Sequence, residues 1–229
     1  SSFPSKVTIT IAKGAANGGG GIYTNDIASK SFNASFPVSF ATGSLPDLEM
    51  WFDASDLNAD GAVDAGYSVG NAVNQWKDKS GNGYDLTKQG DPTWASQNGH
   101  GVVNFDGDDS FYATKGWGGG QEFTLFSIAR YTHSTHNYRI ISDRANNNWY
   151  FGFHGQNMKQ FYFGGNLVSG GGGKDTKFHL HSASMTSDDK GNAFFDGTRV
   201  GDVDGTDAGG NYLPRELQFG GWLTNVEYS

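Results

Sequence analysis

The stretch AFFDGTRV, residues 193–200, shows the local pattern that decides the fold class. Asp196 and Gly197 separate two short runs, and both residue types tolerate the positive φ angles of a two-residue primed turn, so the stretch predicts a β-hairpin. Short runs of the same kind, several with period-two apolar alternation, recur along the chain. They span residues 7–11, 32–40, 48–53, 102–105, 123–131, 138–142, 149–154, 160–163, 178–185 and 217–220.

The connections between these runs and the overall composition define the fold class further. Glycine contributes 35 of the 229 residues and aromatic residues 14%, which is typical of many short strands joined by turns rather than of a disordered chain. No convincing amphipathic helical pattern occurs. The sequence therefore predicts an all-β fold with little helix, a two-sheet antiparallel β-sandwich of the jelly-roll type.

Charge and cysteine content exclude several classes of partner and chemistry. The chain has no cysteine, which excludes disulfides, thiolate metal sites and a cysteine nucleophile. Acids outnumber bases by 24 to 16, the net charge is -8, and the basic residues are scattered, so we expect no nucleic-acid partner. No apolar run reaches the roughly 18 residues that would span a bilayer, so we expect no membrane insertion.

Five segments carry a resemblance to a known family. They are LEMWFDASD (48–56), WKDKSGNG (76–83), VVNFDG (102–107), FFDGTRV (194–200) and LQFGG (217–221). Their order and spacing resemble the laminin-G-like jelly-roll domains of bacterial secreted and surface proteins, in the concanavalin A-like lectin and glucanase superfamily. The resemblance implies a domain over residues 45–229, an extracellular or cell-surface location and a role in ligand recognition.

Residues 1–44 form a strand-bearing lead-in to that domain. In the family, the strand at 217–221 is followed by one more apolar strand that closes the sandwich, and a sheet without it would expose unpaired backbone groups. We therefore expect the lead-in to pack on the domain, within the chain or by strand pairing with a neighbouring module or subunit. The alternative is that it is the remnant of a preceding repeat.

The segment DLNADGAVD, residues 56–64, predicts a calcium ion as cofactor. Oxygen side chains stand at the first, third, fifth and ninth positions, and Gly61 stands at the sixth, as in the first part of an EF-hand loop. Tyr67 takes the twelfth position, where that loop carries glutamate, so another loop must complete the shell. The predicted ligands are Asp56, Asn58, Asp60, Asp64 and Asp78. The alternative is a turn whose side chains cap their own backbone amides.

A second acidic cluster follows a family-like strand and contains Asp106, Asp108 and Asp109. We interpret it as a solvated turn, with a second calcium site as the alternative. The histidine pairs 133/136 and 179/181 lack an evident third ligand, so we expect surface or structural roles instead of zinc.

Catalytic motifs are not convincing in this sequence. GYSVG (66–70) matches a nucleophile elbow, but a calcium-like loop precedes it where the motif requires a strand. GGGGK (170–174) lacks the serine or threonine and the first glycine of a phosphate loop. Glycosidases need two carboxylates on one face, and no glutamate has another within reach along a strand. We therefore expect no enzyme activity, with distant aspartates that pair in space as the alternative.

The segment RIISDRANNNW, residues 139–149, predicts a sugar site. An aromatic ring can cover the apolar face of a pyranose, while planar polar groups bind its hydroxyls. The predicted contacts are Arg139, Asp143, Arg144, Asn146, Asn147 and Trp149, together with Trp117 and Trp222. The alternative is that these tryptophans belong to the core.

Taken together, these patterns and the resemblance predict a calcium-dependent, lectin-like module that binds a glycan or polysaccharide, within a bacterial adhesin or a polysaccharide-associated surface protein. Two alternatives remain open at this point. One is a structural or assembly module of a surface protein or filament, and the other is a polysaccharide-degrading enzyme of the same fold.

Overall fold

The computed structural model describes most of the chain beyond residue 46. The described ranges are 47–117, 122–132, 139–145, 149–155, 157–163, 166–170, 173, 175–186, 190–204 and 215–221. In these ranges the secondary structure consists of strands without a helix, which confirms the predicted all-β class. Among these residues there is therefore no helix that could cross a membrane.

Thirteen strands are present in the described residues. They are β1 (Leu86–Gln89), β2 (Thr93–Gln97), β3 (His100–Asn104), β4 (Ser110–Ala113), β5 (Phe123–Ala129), β6 (Ile141–Asp143), β7 (Tyr150–His154), β8 (Asn157–Phe163), β9 (Asn166–Ser169), β10 (His179–Met185), β11 (Lys190–Phe195), β12 (Thr198–Asp204) and β13 (Leu217–Phe219). A seven-stranded sheet has the order β1-β4-β13-β6-β7-β8-β9, a four-stranded sheet has the order β12-β11-β10-β5, and β2 pairs with β3. All these pairings are antiparallel.

The core lies between the two larger sheets. Phe151 and Phe161 of the seven-stranded sheet belong to the same buried cluster as Ala183 and Met185 of the four-stranded sheet. Along β10, every second side chain from His181 onward is buried, because successive residues of a strand point to opposite faces. This shared core makes the two sheets a β-sandwich, as predicted.

The hairpin predicted from residues 193–200 is present. β11 ends at Phe195, which pairs with Thr198 at the start of β12. Asp196 and Gly197 form the turn with φ angles of 50° and 75°, the left-handed conformations that a primed turn requires.

The strand predicted at residues 48–53 is not formed. Instead of a neighbouring strand, this segment is bonded by the loop that follows Trp76. The Asp78 carboxylate accepts a hydrogen bond from Trp51 N at 3.0 Å, and Lys79 N donates to Trp51 O at 2.8 Å. The Asn82 amide donates to Leu48 O at 2.8 Å. These contacts join two of the family-like segments, and the polar partners replace a strand ladder.

Several predictions fall on residues outside the described ranges. The lead-in, residues 1–44, lies there, and its packing on the domain stays a prediction. The same holds for the predicted sugar contacts Asn146, Asn147 and Trp222, and for the histidine pair 133/136.

Candidate functional site

The loop over residues 56–64 adopts the turn that its sequence predicts. Gly61, at the sixth position, has a φ of 89°. The first residue, Asp56, is 2% exposed, and its two carboxylate oxygens accept hydrogen bonds from Asp60 N at 3.1 Å and Gly61 N at 3.0 Å. The buried carboxylate therefore fixes the backbone of the loop.

The other predicted metal ligands in this loop also cap backbone amides. Asn58 Oδ1 accepts from Asp60 N at 3.0 Å, and Asp60 Oδ1 accepts from Ala62 N at 2.8 Å. Asp64 Oδ2 accepts from Leu57 N at 2.6 Å. This is the capped-turn arrangement that the sequence left open as the alternative.

The positive charge beside this loop comes from Lys79. Its Nζ lies 2.7 Å from Asp56 Oδ2 and 3.2 Å from Asp53 Oδ2. Burial alone would raise the pKa of Asp56, but the Lys79 ammonium and the amides of Gly61 and Asp60 hold it below its usual value. The ammonium group therefore offsets the charge of the buried Asp56 carboxylate.

Asp78, the predicted ligand from a second loop, is also bonded elsewhere. Its oxygens accept from Trp51 N, Ser80 N, Ser80 Oγ and Tyr84 N at distances of 2.7–3.1 Å. Among the described residues, no three acidic or histidine side chains converge as a metal-binding group. The residues as they stand fit a calcium ion poorly, and calcium binding by this loop stays a prediction.

The predicted sugar contact Trp149 lies in the core. Its side chain is 0% exposed and packs edge-on to Phe123, with ring centroids 6.4 Å apart. Asp143, also 0% exposed, accepts hydrogen bonds from Arg215 N at 2.8 Å and Glu216 N at 2.9 Å. In the structure these side chains therefore serve the core and the β6–β13 pair, and ligand contact by Trp149 and Asp143 stays a prediction.

The remaining described members of that predicted site are separately engaged. Arg139 is 5% exposed and lies over the Tyr150 ring, 4.7 Å from its centroid. Arg144 lies 3.8 Å from the centroid of the Tyr112 ring and forms an ion pair with Glu216 at 3.3 Å.

Trp117 is partly buried and packs edge-on to Phe123, with ring centroids 5.9 Å apart. None of the described members of the predicted site offers a fully exposed ring beside its polar groups. The segment 139–149 therefore contributes to the core and to sheet pairing in its described part.

A different group of residues lines a cleft in the described part of the chain. This cleft, which we call the acidic cleft, has a volume of about 270 Å³. Its lining comes from the β1–β2 connection, β2, the end of β3, the β3–β4 turn and the residue after Tyr131. The lining residues are Asp91, Thr93, Asn104, Phe105, Asp106, Asp109 and Thr132.

The electrostatics of the acidic cleft centre on Asp109, which is 4% exposed. Burial raises the pKa of Asp109, and the charge of Asp106 adds to this, although the bond from Asp91 N to Asp109 Oδ1 at 2.5 Å acts in the opposite direction. Asp106, which is exposed, also lines the cleft, so the cleft presents carboxyl oxygens that can accept hydrogen bonds from a bound hydroxyl.

Phe105 forms an aromatic wall of the acidic cleft. Its ring packs edge-on to Phe111, with centroids 6.4 Å apart. Gly220 has a φ of 78°, and a Cβ atom at that position would lie 2.5 Å from Phe105 Cδ1. Only glycine permits this close approach, so the ring is held firmly beside the oxygen atoms of the cleft.

Sequence reasoning identified only Asp106 and Asp109 in this group, and interpreted them as a solvated turn. The structure shows Asp109 buried, which corrects that interpretation for this residue, whereas Asp106 and Asp108 are exposed. The other lining residues are separated by up to 41 positions along the chain (91 to 132), and no local motif connects them.

Comparisons with known proteins identify a similar fold. No protein-family model and no curated protein sequence matches the chain. The structure is similar to domain 4 of AbnA, a GH43 extracellular arabinanase from Geobacillus stearothermophilus, in complex with arabinotriose. The identity is 10% and the TM-score 0.53, covering 71% of this chain and 89% of that chain.

A second similar structure is the binding domain of Paraclostridial Mosquitocidal Protein 1. The identity is 11% and the TM-score 0.48, over 67% of this chain and 43% of that chain. The AbnA comparison shows a shared β-sandwich fold, whereas the laminin-G-like assignment stays a prediction.

Proposed function

We propose that this protein is a glycan-binding module that holds one unit of a neutral oligosaccharide in the acidic cleft. The observation that carries the proposal is the composition of this cleft, in which the Phe105 ring stands beside carboxylate, amide and hydroxyl groups. This combination suits a sugar, which has an apolar ring face and a rim of hydroxyls. The AbnA domain with the same fold binds arabinotriose, which supports a carbohydrate ligand.

The size of the acidic cleft limits what it holds. Its volume of about 270 Å³ lies below the roughly 300–1,000 Å³ of most small-molecule sites. We therefore expect it to take a chain end or a side branch, and not a long stretch of polysaccharide. Asn104 and the threonine hydroxyls can bind sugar hydroxyls, and the carboxyl oxygens of Asp106 and Asp109 can accept hydrogen bonds from them.

The proposed setting is extracellular, in a bacterial adhesin or a polysaccharide-associated surface protein. The support is the sequence resemblance and the extracellular origin of the AbnA domain. Calcium is not a component of this proposal, because the acidic cleft uses none of the residues predicted to bind it.

Calorimetric titration with a panel of neutral oligosaccharides that includes arabinotriose tests the proposal. Thr132→Val and Asn104→Ala should each weaken binding at least tenfold with little change in melting temperature, because both remove hydrogen bonds to the ligand. Thr87→Val serves as a matched control, since Thr87 is an exposed β1 residue away from the cleft lining. Absence of binding across the panel, or unchanged affinity in both cleft variants, would contradict the proposal, and new reducing ends would indicate hydrolysis instead.

A further inference from the structure

A second cleft lies beside the β11–β12 hairpin and has a volume of about 190 Å³. We call it the basic cleft. Its lining combines one residue of β8, the residue after β9 and the two arms of the hairpin, so both large sheets contribute. The lining residues are Lys159, Gly170, Phe195, Thr198, Arg199 and Val200.

Glycine keeps the two sides of the basic cleft close together. Gly170 N donates to Lys159 O at 3.0 Å. A Cβ atom at Gly170 would lie 2.5 Å from Val200 Cγ1 and 3.1 Å from Lys159 Cβ. The backbone at Gly170 therefore lies directly against the side chains of Val200 and Lys159, which a larger residue would displace.

Lys159 brings a positive charge that no described acid compensates. Its Nζ lies 4.8 Å from the centroid of the Phe195 ring, and among the described residues it forms no ion pair. His179 stacks on the same ring and is bonded to two acids. Asp196 Oδ2 lies 2.6 Å from His179 Nδ1, and Asp175 Oδ1 lies 2.9 Å from His179 Nε2.

Arg199 is oriented by its neighbours on β11 and β12. Its Nε donates to Asn192 Oδ1 at 3.0 Å, and its Nη2 forms an ion pair with Asp202. Among the described residues, Nη1 has no such partner. A guanidinium held by two bonds loses less freedom when a further acceptor binds. Thr198, which is exposed in the same cleft, adds a hydroxyl.

We propose that the basic cleft binds the anionic substituent of an acidic saccharide, a carboxylate or a sulfate ester. A cleft that presents Lys159 and Arg199 stands out in a chain of net charge -8. Lysine and arginine donors form charge-assisted hydrogen bonds with such oxyanions, and Thr198 can donate to a neighbouring hydroxyl. This site is separate from the acidic cleft; that its ligand is a saccharide rests on the proposed glycan-binding function, whereas its preference for an anion does not.

The test uses calorimetric titration with trigalacturonic acid at low salt. The methyl ester of the same trimer is the neutral control, and a sulfated galactose trisaccharide distinguishes a sulfate from a carboxylate ligand. We expect the intact protein to bind at least one of the two anionic trimers, to lose that affinity as NaCl is raised, and to bind the ester at least tenfold more weakly.

Variants assign the binding to the basic cleft. Lys159→Met and Arg199→Gln should each weaken binding of the anionic trimer at least tenfold, whereas Lys77→Met removes an exposed lysine elsewhere and should have no effect. Equal affinity for acid and ester, binding that survives in both variants, or no binding of either anionic trimer would overturn the inference. Melting temperatures of all variants show that each one is folded.

Discussion

Lys79 places its ammonium 2.7 Å from Asp56 Oδ2, beside the loop whose sequence predicts a calcium ion. The two side chains are 12% and 3% exposed, so the pair is largely shielded from water. The buried carboxylate at the first position of the predicted metal-binding loop is thus paired with a charge from the same chain, in a turn whose side chains cap their own backbone amides.

Replacement of Lys79 by methionine tests whether the ammonium group stabilises the loop by compensating the charge of Asp56, as a metal ion would. Removing one partner of a buried pair costs about 3–5 kcal/mol, so Lys79→Met should melt several degrees lower than the parent protein. We expect millimolar calcium to stabilise this variant and to leave the parent unchanged relative to EDTA. A parent protein that melts several degrees higher in calcium would instead establish the predicted calcium site.

Truncation of Trp149 should cost stability. Because the ring is fully buried, Trp149→Ala should lower the free energy of unfolding by about 3–5 kcal/mol. Val69→Ala is the control, since Val69 is 71% exposed and its truncation should change the free energy by less than about 0.5 kcal/mol. Denaturant unfolding measures both. If the Trp149→Ala variant is as stable as the control, the ring is exposed and the predicted role of Trp149 in a sugar site is supported.

Stability should fall between neutral and mildly acidic pH because of His181. Burial lowers the pKa of His181 from 6.5 to about 4, although the bond from Nε2 to Met158 O, at 2.9 Å, acts in the opposite direction. His181 therefore binds a proton near pH 6.5 in the unfolded chain but only near pH 4 in the folded chain. This contribution to stability is complete above the unfolded pKa and is lost as pH falls towards the folded one.

The His181→Gln variant isolates that contribution. Between pH 7 and pH 5 the parent should lose about 2 kcal/mol more stability than the variant, which has no group titrating at this position. His100→Gln, at an exposed position, should keep the parental pH dependence. Parallel stability curves for parent and His181→Gln would show that the imidazole is accessible to protons in the folded state.

Asp109 in the acidic cleft should lower the stability of the fold while it contributes to ligand binding. Because burial and the charge of Asp106 raise the pKa of Asp109, ionising it at neutral pH opposes folding. Asp109→Asn should raise the free energy of unfolding at pH 7, and the gain should vanish towards pH 3, where the aspartate is protonated in both states. The same variant should bind neutral oligosaccharide more weakly. Asp108→Asn, at an exposed position in the same turn, should show neither effect.

Local sequence patterns predicted the features of this fold that depend on local interactions. Asp196 and Gly197 specify their hairpin without help from distant residues, and Gly61 does the same for the loop that begins at Asp56. The location of Trp149 could not be predicted in this way. Polar neighbours in sequence suggested an exposed ring, but its burial depends on Phe123, which lies on the opposite sheet.

The candidate sites depend still more on contacts between distant residues. The counter-charge for Asp56 comes from Lys79, 23 positions away, and no pattern within residues 56–64 reveals it. The acidic cleft is assembled from Asp91 to Thr132, and the basic cleft from Lys159 to Val200, by sheet pairing. In the sequence, each acidic or basic residue of these segments is indistinguishable from an ordinary surface residue. Only the pairing of the strands shows that these residues line a common cleft.

The four hydrogen bonds that Asp78 accepts from Trp51, Ser80 and Tyr84 have a kinetic consequence. A single carboxylate secures three backbone amides that lie up to 33 positions apart (51 to 84), in a region where the 48–53 strand is not formed. Opening any one of these amides removes a donor from the buried Asp78 carboxylate and weakens the site that holds the other two. They should therefore exchange with deuterium at a common slow rate, as one cooperative unit that opens together.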